Sequence, residues 1–191
     1  SRNWRIVLVT TEEVGPELGD ATPWFQRSTA EIYHLPRFLR PELWPDFFFY
    51  LVYAKNIDTV WMAGSAFTYD MLPALKEAFP ELKVIDFLFN EVYHTPRNRA
   101  CAPYIDLHMV ENLTVRNWLL NNGEREERIA TCSLGVDTNR YCPPADKDSA
   151  KEALGLKGKF VIGCSGRLSE EKCPEAAVLV AQQLASDDEA V

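Results

Sequence analysis

Short β-branched, apolar runs recur along this chain, and stretches with helical spacing separate most of them. Arg5–Thr10 (R-I-V-L-V-T), Ala30–Leu35, Asp58–Met62 (D-T-V-W-M), Lys83–Phe89 (K-V-I-D-F-L-F), Ile105–Val110, Ile129–Ser133 and Lys159–Cys164 (K-F-V-I-G-C) read as strands. Leu43–Lys55, Phe67–Phe79, Leu113–Asn122, Ser149–Leu154 and a segment from Pro174 to about Leu184 read as helices. Asn112 is placed to cap the helix after it, and Gly123 to stop it. Strands that carry little polar alternation are buried on both sides, as in parallel sheets. The rhythm therefore predicts an α/β fold: a parallel sheet with helices on both faces.

Composition narrows the function classes. The 191 residues carry a formal charge of −8, without a Lys/Arg-rich stripe. Such a chain is a poor match for phosphate backbones, so nucleic acid is not an expected partner. The five cysteines, Cys101, Cys132, Cys142, Cys164 and Cys173, form no CxxC pair. They predict reduced thiols, some buried as small hydrophobes, rather than a zinc site or disulfide framework. No metal ligand set is expected. The longest apolar run, Phe47–Ala54, is too short for a bilayer, which needs about 20 residues. Ser1 opens no visible signal peptide, so a cytoplasmic location is expected and the sequon Asn112-Leu113-Thr114 reads as a chance match. The aromatic stretch Leu43–Tyr53 holds no Lys or Arg, so core packing is expected there rather than membrane contact.

The chemistry concentrates in V-I-G-C-S-G-R-L-S-E-E-K, Val161–Lys172. A strand that turns directly into a helix aims backbone N–H groups at the crevice beyond the strand, where an anion is welcome. Gly166 lets the backbone approach a ligand closely. Arg167 offers a planar fork for phosphate oxygens and Lys172 a mobile point charge. Together they suit a diphosphate. The same cations could instead pair with Glu170 or Glu171.

The neighbouring segments extend this pattern. Gly135-Val136-Asp137, Tyr141-Cys142-Pro143, Leu154-Gly155 and Gly166-Arg167-Leu168…Glu171-Lys172 follow one another at set spacing. This order resembles the large retaining GT-B family of glycosyltransferases, the group 1 or family 4 type, most strongly over Arg128–Leu184. The family carries a strand, N-G-V-D with F-x-P, a short helix ending in L-G, and a strand leading to G-R-L-x-x-E-K-G. The resemblance implies a Rossmann-like fold in which Gly166, Arg167 and Lys172 bind the donor's diphosphate. It implies transfer of a hexose from a nucleoside-diphosphate sugar to a carbohydrate acceptor, with retention and with no cofactor or metal. Residues 1–134 would be part of the acceptor-side domain, 135–145 a linker, and 146–191 the start of the donor-binding domain. Asp137 would serve local turn bonds. The family's first strand and its downstream pair of Glu residues are not found, so a fragment inactive alone is expected.

The chain departs from the family's pattern at several positions. Asn90 stands where the family often has His, with His94 close but offset. Glu111 stands where Ser is common, and Cys173 where Gly follows the Lys. Asn90, His94 and Glu111 are the weak catalytic candidates. Two other readings stay open: a degenerate, glycosyltransferase-like binding module without catalysis, and a GT-B sugar-nucleotide epimerase. No G-x-G-x-x-G follows a strand, which argues against nicotinamide binding.

Overall fold

Leu8–Thr10 forms β1, half of the strand read from the sequence. The structure, a computed structural model, describes residues 4–13, 15, 19–92 and 95–188. A single turn, α1 (Thr22–Phe25), precedes β2 (Ile32–His34). β1 and β2 pair in parallel as Leu8↔Ile32, Val9↔Tyr33 and Thr10↔His34. Two 3-10 turns, Leu35–Arg37 and Pro41–Leu43, lead into α2 (Trp44–Ala54). Pro45 sits in the first turn of α2, where a missing N–H costs nothing. The aromatic run meets the expected core packing only in part: Trp44 and Phe47–Phe49 are half-buried, and only Leu51 and Val52 of α2 are buried. Phe47 receives Tyr33 and Phe38 edge-on at 5.4 and 5.6 Å, and Phe48 meets Phe67 at 5.9 Å. Tyr50 and Tyr53 remain exposed.

The main sheet is built next. β3 (Thr59–Ala63), α3 (Ala66–Ala78), β4 (Lys83–Leu88), α4 (Thr95–Cys101), β5 (Leu107–Val110), α5 (Leu113–Asn121) and β6 (Ile129–Thr131) follow in order. All four strands are parallel, in the spatial order β3-β4-β5-β6. Parallel neighbours need a crossover, and helices supply it each time. The result is an α/β, Rossmann-like arrangement of a parallel sheet flanked by helices. α4 has no counterpart in the sequence reading, because Thr95–Cys101 shows no apolar periodicity.

One face of this sheet carries the core. Val60 and Met62 of β3 lie beside Val84 and Asp86 of β4 in register, and all four are buried. Val60 packs with Val52, Met71, Leu75 and Leu82. Met62 packs with Tyr69, Leu72, Val84 and Ile105. Leu88 and Val110 pack with Val115 and Leu119 of α5. Each fully buried aliphatic side chain contributes roughly 1.5–3 kcal/mol through removal from water. α5 is capped as the sequence predicts: Asn112 Oδ1 accepts from Val115 N–H at 3.0 Å, and Gly123 takes φ 82°. Pro73 lies inside α3 and cannot donate to the carbonyl of Tyr69 one turn earlier. The thiol of Cys101 donates to that carbonyl at 3.5 Å. Burial pushes the Cys101 thiol up, which keeps the donating proton in place.

The described chain divides into two units, Ser1–Gly135 and Val136–Val191. In the second, α6 (Lys147–Ala153) is capped by Asp146, a 3-10 turn spans Glu170–Lys172, and α7 (Pro174–Asp188) follows. The predicted strand Lys159–Cys164 is a correction: it is not a strand, and Phe160 is 89% exposed. A strand exists through its ladder, and no described strand pairs with this one. The cysteine expectation is corrected too. Cys132, Cys142, Cys164 and Cys173 are exposed free thiols, and Cys101 is only half-buried.

Candidate functional site

After Lys159–Cys164 the chain bends at Gly166, but α7 begins only at Pro174, so the strand turning directly into a helix that the sequence suggested is not formed. Gly166 lies in a bend, and a Cβ built on it would meet open space. Among the described residues, no atom lies close enough to demand glycine there. Arg167 and Lys172 are both exposed, Arg167 ahead of the 3-10 turn Glu170–Lys172 and Lys172 at its end. Cys173 stands between that turn and α7 in the left-handed region, at φ 44° and ψ 54°. Glycine takes this conformation without cost. Asp137 forms the local turn expected of it, accepting from the N–H groups of Asn139 and Arg140 at 3.0 and 3.2 Å. Arg140 lies over the Tyr141 ring at 5.1 Å.

Asn90 and Glu111 occupy another place in the fold. Each follows a strand, Asn90 beyond β4 and Glu111 directly after β5, and those strands are neighbours. The carboxyl edge of a parallel sheet is where α/β proteins bind ligands. Asn90 is half-buried, and its Oδ1 accepts from Val92 N–H at 3.0 Å. Glu111 donates its backbone N–H to Leu88 O. His94 lies outside the described residues. Asn90 and Glu111 belong to one sheet edge, whereas Gly166, Arg167 and Lys172 belong to the other unit.

Two polar groupings escape the sequence reading. At the carboxyl ends of β1 and β2, the His34 ring meets Thr10 Oγ1 and Thr22 Oγ1, each at 2.9 Å. Beneath the main sheet's core face, Asp86, Asn98, His108 and Glu124 are buried, with the half-buried Arg99 against them. The available signal was an Asp inside K-V-I-D-F-L-F and a His inside L-H-M-V, polar residues in otherwise apolar strands. Two open hollows of about 400 and 360 Å³ run along Pro36–Pro41, the second reaching Thr11, Glu13 and Trp44. None of the candidate residues lines them. Among the described residues, no three His, Cys, Asp or Glu side chains converge as metal ligands. No helix there is long and apolar enough to cross a membrane.

A parallel α/β sheet with polar residues at its carboxyl edge defines a Rossmann-like class of protein. Within that class, the chain is similar to the lipopolysaccharide core biosynthesis mannosyltransferase LpsB of Rhizobium meliloti (strain 1021), 51% identical over 39 residues. The match spans 20% of this chain and 11% of that protein's length. This partial similarity points to a glycosyltransferase and to nothing finer. No family model matches the chain, and no solved structure matches it.

Proposed function

We propose that the whole protein is a retaining GT-B glycosyltransferase that moves a hexose from a nucleoside-diphosphate sugar to a carbohydrate acceptor. One observation carries the reading. Arg167 and Lys172 are exposed within six residues after a bend at Gly166, whose Cβ position is open, within the motif order that resembles this family. The short similarity to a mannosyltransferase supports it. Residues 1–134 then supply the acceptor side, 135–145 the connection and 146–191 the start of the donor side. Arg167 grips the diphosphate as a fork, and Lys172 adds a point charge. Both neutralise charge that builds on the departing nucleoside diphosphate, the work a divalent ion does elsewhere. No cofactor is required in this scheme.

The test uses the full-length protein with a panel of UDP-, GDP- and ADP-sugars, beside Arg167→Ala. Loss of one charge-stabilising donor costs roughly 10²–10³ in kcat. A fall of that size, with donor binding weakened, is the expected result. Unchanged turnover in Arg167→Ala would remove the diphosphate role.

Asn90 and Glu111, at positions where the family carries His and Ser, favour a second reading, a binding module without catalysis. Nucleotide-sugar binding with no turnover for any donor would make it the account.

A further inference from the structure

Asp86 of β4 and His108 of β5 are register partners, and both are fully buried. Asn98 of α4, also fully buried, touches both. The direction of every bond among them can be worked out. Arg99 donates to Asn98 Oδ1 from Nε at 2.8 Å and from Nη2 at 2.7 Å. A guanidinium only donates, so this end of the amide is the oxygen. Asn98 Nδ2 then donates one hydrogen to Asp86 Oδ2 at 2.6 Å and the other to His108 Nδ1 at 3.0 Å. Tyr69 O–H also donates to Asp86 Oδ2, at 2.5 Å. His108 Nδ1 is therefore a bare acceptor, and the ring's proton sits on Nε2, assigned from its neighbours. That proton goes to Glu124 Oε2 at 2.8 Å. Arg99 Nη2 also lies 3.3 Å from Nε2, but its two hydrogens go to the nearer Asn98 Oδ1 and Glu124 Oε2, so this approach is a contact and not a hydrogen bond. Glu124 is held in turn by Arg99 Nη2 at 2.9 Å, Arg128 Nη1 at 3.1 Å and the Arg125 N–H at 3.1 Å.

A second proton on His108 has one place to go, Nδ1, which faces the Asn98 amide nitrogen. Two N–H groups would then point at each other. Flipping the amide does not help. It would set Asn98 Oδ1 against the Asp86 carboxylate and Nδ2 against the Arg99 guanidinium. Relief requires Asn98 to move, and Asn98 rides on a helix of seven residues that is too short to persist by itself. α4 is also attached through the exposed pair Arg97–Asp70 and the Cys101 thiol bond.

We infer that this relay is an acid-sensitive latch: a proton added to His108 unseats α4 while the four strands stay paired. The groups that face His108 are Asn98 and Arg99 from α4, Asp86 from β4, Glu124 beyond α5, and Arg128 ahead of β6. Burial pushes the ring down to about 4, Arg99 and Arg128 work in the same direction, and Glu124 opposes them. The latch stands independently of the proposed transferase activity.

Hydrogen exchange read by mass spectrometry tests it, at neutral pH and just below the pH at which the folded ring takes its proton, with intrinsic rates corrected. Residues 97–104 should lose protection by about tenfold or more in acid, while residues 84–88 and 107–110 keep theirs. His108→Gln accepts from Asn98 and donates to Glu124 but gains no proton. Its α4 protection should survive the same acid step. Equal loss in both proteins, or strands and α4 opening together, would overturn the latch. The ring nitrogen resonances of the unmutated protein give an independent reading. Protonated Nε2 with bare Nδ1 at neutral pH is expected, and the opposite tautomer would sink the relay.

Discussion

Cys173 holds a backbone conformation that L-residues adopt at a cost of roughly 1–2 kcal/mol. It marks the passage from the Glu170–Lys172 turn into α7, and the turn's geometry asks for glycine. Replacing it should relieve strain, partly offset by the greater freedom of glycine in the unfolded chain. Cys173→Gly is expected to stabilise the protein by about 0.5–1 kcal/mol, visible as a higher urea midpoint. A lower midpoint would show that the thiol, which donates to Glu170 O at 3.2 Å, matters more than the backbone. Gly166 asks the reverse question. No described residue crowds it, so Gly166→Ala should leave stability within about 0.5 kcal/mol and lower affinity for a nucleotide sugar. Equal affinity in the two proteins would remove ligand approach as its reason.

Elements form here where local signals and tertiary partners agree. α5 has both: Asn112 caps it, Val115 and Leu119 bury one face, and Gly123 ends it. Asn112→Ala should cost about 1 kcal/mol, and Asn112→Asp should recover most of that, both read from urea midpoints. No change in the Ala variant would mean the fold, not the cap, fixes the start of α5. Lys159–Cys164 shows the opposite case. Its sequence is as strand-like as that of β4, yet its apolar side chains are exposed. Propensity describes how well side chains fit a half-buried sheet surface, and that surface is a tertiary fact. Val178, Leu179, Val180 and Leu184 of α7 are exposed for a related reason: amphipathic residues become a core only against another layer. α4 inverts the lesson. Its apolar content predicts nothing, and Asn98 and Arg99 hold it by hydrogen bonds.

For the molecule as a whole, the buried polar relay makes stability depend on pH. His108 takes its proton near 6.5 when unfolded and near 4 when folded. Between those values the unfolded chain binds the extra proton, so stability falls as pH falls through that window. The loss amounts to roughly 3 kcal/mol at the low end, by about 1.4 kcal/mol for each pH unit. Glu124 acts in the same sense. Its folded carboxyl lies below the usual range, chiefly through the Arg99 bond opposing its own burial. It adds stability above its unfolded value that is lost in stronger acid. Urea unfolding measured across the window should show this slope, and His108→Gln should flatten it. A slope that persists unchanged in His108→Gln would assign it to the carboxylates instead.

Much of this was fixed locally and so was legible in the chain. The alternation of apolar runs and helical spacing names the α/β class, because parallel strands need helical crossovers. The caps at Asn112 and Gly123 and the turn at Asp137 depend on neighbours within a few residues. The tertiary structure alone decided which apolar runs became strands, because a ladder needs a partner from elsewhere. It alone decided that Trp61 is exposed while Val60 and Met62 are buried, since one register sets all the faces together. It also brought Asp86, Asn98, His108 and Glu124 into one chain of directed bonds. Those residues lie far apart in sequence, and only the low dielectric of a shared interior turns their separate polar groups into a single interacting unit.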